Sequence, residues 1–339
     1  MSGGVDSSVS AALLVDQGYD VTGVYMKNWT HDLLGFVCSW EDDFKDAKTV
    51  AVQLNIPLKV FDFEHEYRQA VVNYMISAYQ QGLTPNPDIM CNQEIKFKLF
   101  LQTALDQGVD LIATGHYART HDSRLYKATD SNKDQSYFLY RVSQQALSKT
   151  LFPIGELTKP AVRLIAKSHR LSTANKPDSQ GICFIGEVPI KQFLVSELGE
   201  QTPGIIIDQH GQIIGEHDGA IYYTIGQRHG LKVGGGLPYY VMGKDMSANI
   251  VYVSSDLGDK RLWGSKIELS NLWWINDPPN NHSSYQVKCR YRSEAVGCKV
   301  LLSKQRATIL LDDEVRAISP GQSAVIYDQD LVIGGGIII

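Results

Sequence analysis

The stretch best suited to chemistry stands at the start of the chain, where Ser2-Gly3-Gly4-Val5-Asp6-Ser7-Ser8 runs straight into a small-apolar pattern at helical spacing over 5–17. Glycines let backbone N–H groups approach an anion, and a helix start adds its dipole and its unsatisfied donors. Hydroxyls at Ser2, Ser7 and Ser8 would complete a phosphate cradle. No G-K-[ST] follows, so the stretch is not a Walker A loop. The plain alternative is a Gly-Ser turn with a Ser or Asp N-cap. A second candidate is Cys91, which follows the turn-rich TPNPDIMCN (84–92) and opens a helical run, NQEIKFKLFLQ. A thiolate at a helix start is stabilised by the dipole and free N–H groups. Asp88, three residues earlier, is placed to act as general acid or base. A structural cysteine beside an aspartate cap is the other reading. Cys183 lies in a polar, Gly-containing segment, DSQGIC, which simple core packing does not explain.

Strands and helices must bring these residues together. YDVTGVYMK (19–27), LKVFDF (58–63) and LIATGH (111–116) read as strands, with helices over 42–55, 64–81 and 93–107 between them. Such alternation implies βαβ units and a mostly parallel sheet over the first ~180 residues. Gly115 ends the third strand, where ligands of open α/β sheets sit. His116 beside it is either a ligand or a hydrogen-bonded structural residue. Beyond about residue 203 the texture turns to short β-type runs separated by Gly, Asp and Asn, and after 285 to alternating runs that suit a small barrel. The expected domains are 1–195, a smaller, mainly β domain at 196–262, and a C-terminal β-barrel at 263–339.

Composition bounds the function. The 339 residues hold 32 Lys plus Arg against 37 Asp plus Glu, a net charge of −5, which argues against a general nucleic-acid coat protein. Yet basic residues gather locally. Lys159, Arg163, Lys167, Arg170 and Lys176 occur over 157–177 with no acid among them, and Arg163, Lys167 and Arg170 are spaced for one helix face. Over 286–306 six basic residues face Glu294 alone, and Arg290 with Tyr291 suits phosphates and base stacking. A solvated face is the other reading of such runs. The five cysteines include no C-x-x-C pair, so neither a zinc site nor a disulfide framework is expected. Cys38 reads as incidental, and Cys289 and Cys298 as packing residues. No apolar run reaches the ~18 residues of a membrane span, and the start is not a secretory signal. A cytoplasmic protein without a membrane partner is expected.

The loop SGGVDS resembles the PP-loop of ATP pyrophosphatases, which cleave ATP between the α and β phosphates. Pro85-Asn86-Pro87-Asp88-Ile89-Met90-Cys91-Asn92, Thr114-Gly115-His116-Tyr117-Ala118-Arg119, Lys133-Asp134-Gln135-Ser136-Tyr137, Asp178 to Phe184 and Tyr223 to Arg228 follow in that order. Together they resemble the tRNA-specific 2-thiouridylase family across essentially the whole chain. The resemblance implies an adenine-nucleotide α-hydrolase-like parallel sheet, an α/β fold, ahead of the two β domains. It implies ATP at Ser2, Gly3, Gly4, Asp6, Ser7, Met26 and Gly115, with Mg²⁺ accompanying the phosphates. It implies tRNA at Asn86, Pro87 and Asp88, where the target base enters, and at Lys133, Asp134 and Gln135. Cys91 would be the nucleophile and Cys183 the persulfide carrier, the two closing to a disulfide in turnover. The implied partners are the tRNAs for Lys, Glu and Gln, a sulfur-carrier protein or cysteine desulfurase, and a thiol reductant. One departure is that the family carries a short strand before the loop, whereas here Met1 directly precedes Ser2, so the central sheet is expected to lack a member. Two other readings share the loop: an amide-forming synthetase, which needs an amine donor rather than two cysteines, and a non-catalytic ATP- and RNA-binding module.

Overall fold

The computed structural model describes residues 1–31, 38, 40–178, 188–231, 233–234, 236 and 238–339, which form two compact units. The first unit comprises Met1–Val72, Pro87–Val188 and Asp330–Val332, and the second Asn73–Asn86, Pro189–Gln329 and Ile333–Ile339.

In the first unit the small-apolar pattern after Gly4 becomes helix α1 (Val5–Asp16), followed by β1 (Gly23–Lys27), α2 (Trp40–Gln53) and β2 (Leu58–Asp62). The long amphipathic segment expected over 64–81 starts as α3 (Glu64–Tyr67). It runs through a π-helical stretch, Arg68–Val72, into α4 (Asn73–Gln80) of the second unit. A further helix starts as α5 (Pro87–Met90), loosens to π geometry over Cys91–Phe100 and ends as α6 (Leu101–Asp106). The short β3 (Ile112–Ala113) leads to a hairpin, β4 (Arg119–His121) and β5 (Arg124–Tyr126). Its turn residues Asp122 and Ser123 both have positive φ, a geometry that follows the strand twist. Then come α7 (Gln144–Leu147), β6 (Thr150–Leu151) and α8 (Lys159–Ser168). β1 pairs with β2 and β3 with β6, both in parallel. The one parallel sheet expected is thus two separate two-stranded ladders among the described residues. The main core joins Val5, Val9 and Ala12 of α1 to Val50 of α2, Val162 and Ala166 of α8, Tyr117 and Ile154.

In the second unit, after α9 (Ile190–Leu198), β7 (Gly204–Ile207), β8 (Ile213–His217), β9 (Tyr240–Asp245) and β10 (Ile250–Ser254) form a mixed sheet in the order β8-β7-β10-β9. β11 (Trp263–Trp274), β12 (Ser284–Lys288), β13 (Val296–Leu302), β14 (Ala307–Arg316), β15 (Ser323–Asp328) and β16 (Leu331–Ile338) follow. Their order is β11-β14-β13-β12-β15-β16, and β16 returns to β11 to close a six-stranded barrel. Its core holds Ile267, Val287, Val300, Ile309 and Ile326 together with Cys289 and Cys298. Burial pushes both of these thiols up to about 12, the character of packing residues.

Candidate nucleotide and thiol site

Gly4 is the N-cap of α1 and offers no side chain, so the first-turn N–H groups receive no side-chain cap. The serines instead close the loop on itself. Ser2 N donates to Ser7 Oγ (3.1 Å), while Ser7 Oγ (3.2 Å) and Ser8 Oγ (2.7 Å) both donate to Gly4 O. Gly3 has φ +74°, and a Cβ there would lie 2.3 Å from Asp43 O, so only glycine fits. Gly115 comes equally close to the helix. A Cβ on it would stand 2.7 Å from Ser7 N and 2.8 Å from Asp6 C. Its missing side chain therefore makes room for the backbone of the α1 start. Met26 sits near the end of β1, with Asn28 two residues on. Asn28 is buried, and its Oδ1 has no hydrogen-bond partner.

Asp6 points into a network of charges. Tyr117 donates its hydroxyl to Asp6 Oδ1 (2.9 Å), and Lys159 Nζ reaches Asp6 Oδ1 (2.7 Å) and Oδ2 (2.9 Å). Lys159 also meets Asp178 Oδ1 (2.7 Å), which Arg163 shares (2.9 Å), and Lys133 bonds Asp178 Oδ2 (2.5 Å). Burial works to raise the Asp178 carboxyl, but hydrogen bonds from Lys133 and Lys159, with their charges, hold it at about 2. Burial, followed by the Asp6 carboxylate, pushes the Tyr117 phenol far above its ordinary value.

The segment Lys133-Asp134-Gln135 belongs to this network. Gln135 Oε1 accepts from Tyr117 N (2.9 Å), and Gln135 N donates to Tyr117 O (2.8 Å). Asp134, only 5% exposed, accepts from Ala128 N, Ser136 N and Ser136 Oγ and so shapes its own loop. His116 bonds Thr114 Oγ1 through Nδ1 (2.8 Å) and packs against the rings of Phe97 and Phe152. Burial, helped by the Lys96 charge, lowers its pKa well below the usual value.

Cys91 does not open its helix. The helix begins at Pro87, a favoured first position, so Cys91 lies a turn further in and is buried. The dipole is felt most in the first turn, where the half-buried Asp88 stands. The spacing of three still puts Asp88 and Cys91 on one helix face. Next to Cys91, Asn92 donates to Phe138 O (3.1 Å) and leaves its buried Oδ1 without a partner. Cys183 lies outside the described residues, so the Cys91–Cys183 pair has no geometry here. Asn86 and Pro87 are half-buried, and Asn86 counts with the second unit.

In the second unit, Arg290 is spent internally. Its guanidinium donates to Ile225 O (2.7 Å) and Ala317 O (2.6 Å), bracing the Thr224–Gly226 turn. Tyr291 is half-buried with the Arg292 guanidinium over its ring. The proposed basic face of α8 breaks as well: Arg163 turns to Ala174 O and Asp178, and Arg170 lies past the helix end with φ +54°. Sequence reasoning gave no individual role to Tyr117, Lys159, Arg163 or Asp178. All four lie in the stretches it marked, but a one-dimensional pattern cannot show that Tyr117 and Lys159 meet at Asp6 while Lys159 and Arg163 meet at Asp178.

Among the described residues no group of three or more His, Cys, Asp or Glu could hold a metal ion. The Asp6 carboxylate is already taken by Lys159 and Tyr117.

Residues 1–187 match the family profile described as tRNA methyl transferase HUP domain, residues 191–255 the tRNA methyl transferase PRC-barrel domain, and residues 264–338 the aminomethyltransferase beta-barrel domain. Among curated relatives, the tRNA-specific 2-thiouridylase MnmA of Nitrosomonas europaea is 48% identical over all of this chain and 96% of its own length. The protein of the same name from Bacillus cytotoxicus is 46% identical over all of this chain and 93% of its own. Among solved structures, the NMN synthetase of Francisella tularensis aligns at a TM-score of 0.33 and 18% identity, over 53% of this chain and 66% of that one.

Proposed function

The chain belongs to the tRNA-specific 2-thiouridylase family, and we propose from that premise how its residues make 2-thiouridine in tRNA. It is a tRNA sulfurtransferase. ATP, with Mg²⁺ on its phosphates, lies with its polyphosphate over Ser2–Ser8 and its base near Met26, on the side of the sheet where β1 ends. A wobble uridine of the tRNAs for Lys, Glu and Gln is splayed out and enters beside Asn86, Pro87 and Asp88, a modest cost for an anticodon-loop base. Its C2 oxygen attacks the α-phosphate, giving an adenylated base and pyrophosphate. Adenylation matters because an amide-like oxygen leaves poorly, whereas AMP leaves well. The terminal sulfur of a persulfide on Cys183 attacks C2 and AMP departs. The Cys91 thiolate then attacks Cys183 Sγ, breaking the persulfide S–S bond so that the outer sulfur and its electron pair stay on C2 as the thione. A Cys91–Cys183 disulfide is left. Asp88 acts as the general acid or base, taking the N3–H proton that the uridine loses as its C2 oxygen is adenylated. A sulfur-carrier protein or cysteine desulfurase reloads Cys183 after an external thiol has reduced the disulfide. The setting is the cytoplasm. The work divides among domains 1–195, 196–262 and 263–339, the first holding the chemistry.

The observation that carries this reading is the uncapped start of α1, held open by Gly3, Gly4 and Gly115 and built for a polyanion. An amide-forming synthetase would share that feature but would give no place to two cysteines. The test is sulfur incorporation into tRNA from a labelled donor. Cys91→Ser and Cys183→Ser are each expected to abolish it while tRNA affinity stays near the wild-type value. Full activity in either variant would sink the assigned roles.

A further inference from the structure

Lys159 stands at the first turn of α8 in surroundings unlike those of a surface lysine. Its three N–H groups meet three carboxylate oxygens: both of Asp6, at 2.7 and 2.9 Å, and Oδ1 of Asp178, at 2.7 Å. The side chain is 12% exposed, and the residue is pinned at its other end, where Lys159 N donates to Asp130 Oδ2 (2.8 Å). The ammonium also lies 5.7 Å from the centre of the Tyr117 ring, and the hydroxyl of that ring holds Asp6. Lys133 and Arg163 complete the charge around Asp178, so Asp6 depends on Lys159 for its cation.

Asp6 poses an electrostatic problem. It lies in the first turn of α1, whose N-terminus has no side-chain cap, one residue from Ser7, against whose backbone Gly115 packs. A bare carboxylate there would satisfy the helix dipole itself and repel an arriving phosphate. Resting on the reading that Ser2–Ser8 hold the phosphates of ATP, we propose that Lys159 is a positioning residue for the polyphosphate. It neutralises Asp6 and ties it to Asp178, so that the start of α1 presents N–H groups rather than negative charge. Lys159 acts through Asp6 and needs no contact with the nucleotide. An ammonium suits the task because it is a compact charge with three donors that can serve two carboxylates at once.

The test uses the full chain without tRNA, titrating ATP and adenosine into wild type, Lys159→Met and the double variant Lys159→Met/Asp6→Asn. The single variant is expected to weaken ATP about 30-fold or more and adenosine no more than about 3-fold, because only ATP carries the repelled charge. Adding Asp6→Asn should recover roughly 10-fold of the lost ATP affinity, since no carboxylate is left to neutralise. Lys159→Gln carries the same comparison if the Met variant does not fold. Equal losses for ATP and adenosine, unchanged ATP affinity, or no recovery in the double variant would each overturn the proposal. Binding is read without sulfur or tRNA, so this inference and the thiouridylase reading fail separately.

Discussion

Asp178 ends the stretch that carries most of the site's cations, and its three partners make it a measurable anchor. Its side chain is 26% exposed, and its carboxyl is held at about 2 against an ordinary 3.8. A depressed carboxylate contributes stability that is fully present above its unfolded value and is lost as pH falls through its folded one. Asp178→Asn is therefore expected to cost roughly 2 kcal/mol at neutral pH. The gap from wild type should narrow steadily below about pH 4 and close near pH 2, as read by urea unfolding across that range. A gap independent of pH would mean that the ion pairs with Lys133, Lys159 and Arg163 contribute nothing through charge.

Gly115 makes a comparable argument for the elements, because it sets how closely the end of β3 meets the start of α1. Its neighbours there are backbone atoms, which cannot swing aside. Gly115→Ala is expected to destabilise the chain by about 1–3 kcal/mol, as overpacking does, and to displace the α1 start. ATP affinity should fall about 10-fold or more, since a shift of an ångström spoils a positioned site. Gly234→Ala, where a Cβ meets nothing within 4 Å, should change neither thermal melting nor ATP titration. The helix-start loop was legible in sequence because its signal is local: Gly, Ser and an apolar period in one short run. The barrel was legible from its alternation. What a local pattern could not carry was the helix beginning at Pro87 rather than Cys91, because the expected start rested on a turn-rich composition that the chain resolves as an α-helical turn. The π-helical runs were equally invisible, since they keep the apolar texture of an α-helix while changing its phase. The inward turn of Arg290 depends on Ile225 and Ala317, far from it in sequence, whereas Asp134 turns to its near neighbours Ala128 and Ser136.

Across the whole molecule, the net charge of −5 and the basic stretches have to be weighed together. Lys159, Arg163 and Lys176 are consumed by Asp6, Asp178, Asp43 and Asp46, and Arg290 by carbonyls. Lys167, Arg170, Arg292 and Lys304 of those stretches are exposed, and these are the cations we propose for contact with RNA. Few phosphate contacts mean weak indiscriminate binding, with recognition left to RNA shape and an unpaired base.

The path of the chain has a consequence for dissection. It changes unit at Val72, Asn86, Val188, Gln329 and Val332, so no single cut separates the two. The loop of chain over 73–86 is threaded into the second unit: Thr84 N donates to Pro320 O, Gln322 donates to Thr84 O, and Thr84 and Thr224 share a hydroxyl bond. A fragment ending at Val188 carries this thread but has lost everything it was sewn into. Met75, Ala78 and Tyr79, buried in the intact chain, would lie bare. Fragment 1–188 should bind the dye ANS and melt without a cooperative transition, the behaviour of a chain that keeps helices but not packing. Sharp melting of that fragment would show that the thread is dispensable. That path makes the unit carrying Ser2–Ser8 the last part of this protein that could be borrowed on its own.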